Sequence, residues 1–217
     1  MKPQIPTMAE KPREIEAKLS GSIESFRALE RLEEIAGWRV VERHSVELHD
    51  AYWDTPDRRL GCTGRTLRVR AMDGAAVGEL TYKGAPEDGG RTEENASAPA
   101  GSGPRDWERL TSTEAKQIVT ALHEQGILAA LRLDIVLLNP RRELVLRKGD
   151  SEEVLSLDEV RIESQPYLRR YVELELKHGS REEHDALTHA LQERFHRRPI
   201  KTGKVHAARQ WLERRPS

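Results

Sequence analysis

Cysteine, aromatic residues, long apolar runs and net charge are all scarce in this 217-residue chain. Its one cysteine, Cys62, allows no internal disulfide, so a reducing compartment is expected. No apolar run approaches the ~20 residues needed to span a bilayer, and the N-terminal residues lack the apolar core of a signal peptide. These absences point to a cytoplasmic protein with no membrane partner. The 36 basic residues nearly cancel the 37 acidic ones, which argues against general nucleic-acid binding, since that favours a basic face. Aromatics make up only 5%, hydrophobic residues 36% and charged residues 34%. Disorder usually combines such scarcity with a large net charge and no periodicity. Neither applies here. The remaining option is a folded chain that holds charge inside, where every charge must be paired, metal-bound or ligand-bound.

The periodicity is that of an α+β domain. Residues 1–12 read as a flexible tail and residues 13–217 as one domain. Ile23, Phe26, Leu29, Leu32 and Ile35 recur at helical spacing, predicting a helix over 22–36 that ends at Gly37. Residues 13–19 fit a strand or a helix start. From Trp38 onward, Val, Leu and Thr run in short stretches, predicting strands at 38–54, 65–73, 76–83, 90–97, 131–138, 141–148, 153–162 and 170–177. Asp73-Gly74, Asn139-Pro140 and Lys148-Gly149-Asp150 read as turns between them. Helices are expected at 113–125, 182–194 and 205–214. An antiparallel sheet of about eight strands tends to close or split, and strand count alone does not separate a barrel from a sandwich.

The informative pattern is charge at strand period. Glu14, Glu16 and Lys18 share one parity, as do Arg68 and Arg70, Glu79 with Thr81 and Lys83, Arg91 and Glu93, and Glu173 with Glu175 and Lys177. Residues two apart on a strand point to one face. The intervening residues are often apolar: Ile15, Leu67, Val69, Leu80, Val172, Leu174 and Leu176. For a single strand, a solvated charged face over an apolar core is the simpler reading. The Glu14–Lys18 run alone would also suit an i,i+4 helix pair. Yet the charged faces recur on five widely separated strands and sort acids from bases. That favours a charged interior with helices covering the apolar exterior. Carboxylates two apart suit a hard divalent cation, and arginines at that spacing suit phosphate oxygens. Together they would bind an anionic polyphosphate with its metal.

The ordered set of motifs resembles the CYTH superfamily, the triphosphate tunnel metalloenzymes. Glu14-x-Glu16-x-Lys18 matches the family's opening signature. Tyr52-Trp53-Asp54-Thr55-Pro56, Leu67-Arg68-Val69-Arg70, Leu80-Thr81-Tyr82-Lys83-Gly84, Arg91-Thr92-Glu93, Leu157-Asp158-Glu159 and Val172-Glu173-Leu174-Glu175 follow in the family's order, with Lys201 or Lys204 as the late lysine. The resemblance covers residue 13 to about 212. It implies an eight-stranded antiparallel closed β-barrel with a hydrophilic tunnel and helices packed outside. It also implies Mg2+ or Mn2+ and a triphosphate-bearing small molecule or inorganic polyphosphate as partner.

Within that resemblance, Lys18, Arg68, Arg70, Lys83, Arg91, Arg141, Lys201 and Lys204 are expected to hold phosphate. Glu14, Glu16, Asp158, Glu173 and Glu175 are expected to hold metal. Lys18 and Tyr52 resemble a catalytic pair of short triphosphatases, although Tyr52 fits a packed core aromatic equally well. One departure stands out: many members have Lys-x-Arg after the central helix, and this chain has Asn139-Pro140-Arg141. His44, His49, His178, His184 and His206 show no metal-ligand spacing. The expected activity is metal-dependent hydrolysis of a triphosphate, with inorganic tripolyphosphate leading. The alternatives are a class IV adenylate cyclase, a thiamine triphosphatase or a non-catalytic polyphosphate or nucleotide binder. No His-Phe pair precedes the opening signature, which speaks against the cyclase.

Overall fold

The computed structural model describes residues 15–85 and 92–214. Glu14 and Arg91 lie outside the described residues. The elements run β1 (Glu16–Ser20), α1 (Ile23–Glu30), β2 (Glu34–Ile35), β3 (Trp38–Asp54), β4 (Thr66–Met72), β5 (Val77–Lys83), β6 (Glu93–Pro99), α2 (Pro104–Trp107), α3 (Thr113–Glu124), β7 (Arg132–Lys148), β8 (Ser151–Ile162), β9 (Leu168–His178), α4 (Arg181–Phe195) and α5 (Lys204–Glu213). The sheet is antiparallel, ordered β1-β9-β8-β7-β3-β4-β5-β6, with the short β2 beside β3. This is the α+β class the periodicity predicts. Hydrogen bonding among the described residues leaves β1 and β6 as the two ends of the path, so the ladder itself does not close into a barrel.

Two sequence expectations are corrected. The helix expected over 22–36 stops at Glu30. Ile35 instead pairs with Trp38 across Ala36 and Gly37, both at positive φ, a two-residue hairpin turn whose twist suits antiparallel strands. Leu32 and Ile35 are still buried, so the apolar spacing reported burial rather than helix. Asn139-Pro140 is not a turn: both residues lie inside β7, one continuous strand of 17 residues. Proline has no N–H to donate, so a strand must carry it where a ladder bond is dispensable.

The strand alternation builds two faces. Leu19, Leu144, Leu146, Leu155, Leu157, Val172 and Leu174 pack against Phe26 and Leu29 of α1 and Leu187 and Leu191 of α4. Leu67, Val69, Leu80, Tyr82, Ala96 and Ala98 pack against Trp107 of α2 and Ala115, Ile118 and Leu122 of α3. Ser22, Ser112 and Ser180 each accept a backbone N–H of the helix they precede, which fixes where α1, α3 and α4 begin. These helices cover the apolar face, as expected. The fifth helix does not follow that pattern. Val205 and Ala208 of α5 pack on Tyr52, Ile135, Leu137, Val160, Ile162 and Tyr171. By parity and pairing those strand residues share the charged face, so α5 lies on that side, at one end.

Candidate functional site

The pairing register puts the predicted charges on one surface. Lys18 on β1 stands opposite Glu173 on β9, and Glu173 opposite Ser156 on β8. Arg141 on β7 stands opposite Asp158 on β8. Arg70 and Arg68 on β4 stand opposite Asp50 and Tyr52 on β3. Thr66 stands opposite Lys83 on β5, and Lys83 opposite Glu93 on β6. Side chains at paired positions project to the same side, so the whole set shares one face.

These charges are largely withdrawn from water. Side-chain exposure is 12% at Arg68, 16% at Arg70, 14% at Arg141 and 12% at Lys204, while Asp158 is fully buried. Each is neutralised locally. Arg70 grips Asp50 with two bonds, Nε at 2.6 Å and Nη2 at 2.8 Å. Burial pushes the Asp50 carboxyl up, but Arg68 and Arg70 outweigh it and hold the group below its ordinary value. Arg68 donates to Thr81 at 3.1 Å. Lys83 reaches Glu93 at 2.6 Å, and Glu93 is lowered: burial opposes ionisation and the Lys83 bond overcomes it.

The densest contacts surround Glu173. Lys18 meets its Oε1 at 2.9 Å, and Lys204 and Arg141 meet its Oε2 at 2.5 and 3.1 Å. Burial would raise the Glu173 carboxyl, but Lys204 and Lys18 bring it down to about 2. The same contacts act on Lys18: burial disfavours its charge, yet Glu173 and Glu16 raise it above the ordinary lysine value. Lys18 also lies 3.0 Å from Glu16.

The other expected residues are placed as follows. Lys204 reaches the charged face, and Lys201 is exposed. Tyr52 is on the charged face and packs among the apolar residues under α5. Glu175 pairs with Lys177. Asp158, expected to ligate metal, accepts hydrogen bonds from Asn139, Arg141 and Lys204. Sequence reasoning missed Asp50, because Val46 and Leu48 interrupt the charge alternation before it. His184, read from the sequence as a surface or packing residue, is buried on α4 and bonds Glu153, away from this face.

The donor set fits a hard divalent cation. Glu16, Glu173 and Glu175 are carboxylates on two adjacent strands, and oxygen is the ligand Mg2+ and Mn2+ select. Among the described residues they are turned onto lysines rather than gathered as a cluster of three.

A family model of the CYTH domain matches residues 12–205. No curated protein matches the chain. Among solved structures, a candidate adenylate cyclase from Bacillus halodurans is similar at 20% identity and TM-score 0.64, over 90% of this chain and 96% of the other. A candidate adenylyl cyclase from Hippeastrum, whose structure was reported with a dominant triphosphatase activity, is similar at 18% identity and TM-score 0.64, over 91% and 95%. A protein from Pyrococcus horikoshii OT3 is similar at 19% identity and TM-score 0.57, over 93% and 99%. Likenesses at this identity show a shared fold.

Proposed function

The chain belongs to the CYTH domain family, whose members act on triphosphates, and on that premise we propose that it hydrolyses a triphosphate in a metal-dependent reaction. Inorganic tripolyphosphate is the proposed substrate. The observation that carries this reading is the single buried face on which β1, β3, β4, β5, β7, β8, β9 and α5 juxtapose arginines and lysines with carboxylates. A solvated face has no need to bury such pairs, and burying them costs desolvation. A site that exchanges their partners has that need: phosphate oxygens take the bases and a cation takes the acids. The sheet, curled into the closed barrel of the family, would make this face the wall of a tunnel.

Arg68, Arg70, Lys83, Arg141, Lys204 and Lys18, with Arg91, would hold phosphate oxygens. Arginine adds a rigid two-point fork to each contact. Glu16, Glu173 and Glu175, with Glu14, would hold the cation. A Mg2+ or Mn2+ ion there would supply charge neutralisation and lower the pKa of a water. Hydrolysis replaces the bond between the terminal phosphorus and the bridging oxygen with a bond to a water oxygen, giving orthophosphate and pyrophosphate. The basic side chains stabilise charge on the transferred group, which is most of what phosphoryl transfer asks of a protein.

The test is a substrate panel. Tripolyphosphate, thiamine triphosphate and ATP are each incubated with Mg2+ or Mn2+, and orthophosphate, pyrophosphate and cyclic AMP are followed. Orthophosphate with pyrophosphate from tripolyphosphate is expected. Cyclic AMP with pyrophosphate from ATP, and no orthophosphate from any substrate, would replace this reading with the cyclase.

A further inference from the structure

Asp158 has the charge of a metal ligand but the surroundings of a brace. It is fully buried, and both of its oxygens are taken. Oδ1 accepts from Asn139 Nδ2 at 2.6 Å and from Arg141 Nε at 2.7 Å. Oδ2 accepts from Arg141 Nη2 at 3.0 Å and from Lys204 Nζ at 2.6 Å. A carboxylate offers about four acceptor directions, and four donors fill them here. A cation at Asp158 would first have to break a bidentate arginine bond or displace a lysine.

The donors look chosen for this arrangement. Lys204 is the first residue of α5, where the helix dipole disfavours a cation, so its ammonium needs a carboxylate to hold it there. Asn139 is buried at 2% exposure and gives Asp158 a donor that carries no charge. In doing so it leaves its own Oδ1 without a hydrogen-bond partner among the described residues, a cost that a charged acceptor on the Nδ2 side offsets. An amide at 139 thus completes the brace without adding a third cation to compete with Arg141 and Lys204.

We propose that Asp158, completed by Asn139, is a positioning residue: it fixes Arg141 and Lys204 toward the phosphate chain. This rests on the triphosphate reading of the same face. It also gives the Asn139 departure a role, because the neutral donor completes a carboxylate brace rather than touching phosphate.

The two roles predict opposite signs in metal-free buffer. Asp158→Asn removes a negative charge from an anion site. If Asp158 serves only the metal, tripolyphosphate should bind as well or more tightly without metal. If Asp158 positions Arg141 and Lys204, binding should weaken because the forks lose their orientation. The measurement is tripolyphosphate affinity by titration calorimetry in EDTA, with circular dichroism confirming the fold. About tenfold weaker binding is expected for Asp158→Asn. The penalty should shrink when Lys204 is already Ala, since part of it acts through that lysine. Asn139→Ala leaves every charge in place and decides the matter if Asp158→Asn does not fold; a severalfold weakening is expected. Unchanged or tighter binding in the folded Asp158→Asn protein, or in Asn139→Ala if that variant has to decide, overturns the proposal. So does a penalty fully additive with Lys204→Ala. A wild type that fails to bind tripolyphosphate at all sinks the triphosphate reading itself, which separates the two failures.

Discussion

Glu16 on β1 and Glu175 on β9 are direct cross-strand partners. Two like charges at such a pair repel, which sheets normally avoid. Among the described residues, Lys18 pairs with Glu16 and Lys177 with Glu175. A pair of this kind suits a site that receives a cation between its carboxylates. Glu16→Gln and Glu175→Gln should therefore each cut turnover at least tenfold at fixed Mg2+. Their melting temperatures should equal or exceed the wild type's, because the repulsion is relieved. Turnover and thermal melts on the same preparations check this. Near-normal turnover in both would make the pair a surface feature.

Adjacent arginines on β4 should separate stability from binding. Arg70 is the two-point partner of buried Asp50, whereas Arg68 approaches Asp50 only at 3.9 Å. Arg70→Ala removes both hydrogen bonds to the buried Asp50 carboxylate and leaves it only the more distant Arg68, so it should cost about 3–5 kcal/mol of stability. Arg68→Ala should cost clearly less, yet weaken tripolyphosphate binding. Urea denaturation of the two variants, compared with their phosphate affinities, reads both effects.

The late lysines give a sharper contrast. Lys204 reaches Asp158 and Glu173, and Lys201 is exposed. Lys204→Ala should weaken tripolyphosphate binding by about tenfold, in the range of a charge-assisted hydrogen bond. Lys201→Ala should change it less than twofold. Equal losses would mean that the lysines act only through general positive potential.

Acid should loosen the fold through Glu173. Its carboxyl sits at about 2, below the ordinary 4.5. A lowered folded value contributes stability that is complete above the unfolded value and fades as pH falls through the folded one. Wild-type stability should therefore drop between pH ~4.5 and ~2. Glu173→Gln should show a smaller drop over the same window, because that ionisation is gone. Denaturant midpoints at stepped pH for both proteins check the difference.

Much of this site was legible in the sequence because a strand converts spacing into direction. Arg68-x-Arg70, Glu173-x-Glu175 and Lys83 fall on one face as their parity requires. Three features were not legible. Lys204 and Lys201 differ only in where α5 begins, and Gly203 before the helix carries no side-chain cap to mark that start. Asn139-Pro140 reads locally as a turn, but pairing with Leu48 and Glu47 of β3 keeps it extended, while β8 pairs with β7 on either side of it. The position of α5 on the charged face depended on Tyr52, Ile135, Leu137 and Tyr171 gathering at one end, a contact pattern among residues far apart in the chain.

The claim that this face is a triphosphate site is tested most directly by thermal melts with tripolyphosphate in metal-free buffer, where turnover is blocked. Ligand that binds only the folded state stabilises it, by about 2.7 kcal/mol at a hundredfold excess over the dissociation constant. The melt should rise with tripolyphosphate, and the rise should shrink in Arg68→Ala and Lys204→Ala. A solvated face would hold the anion weakly, with screening over ~8 Å at physiological ionic strength. A melt that tripolyphosphate raises no more than chloride does at equal ionic strength would contradict the account.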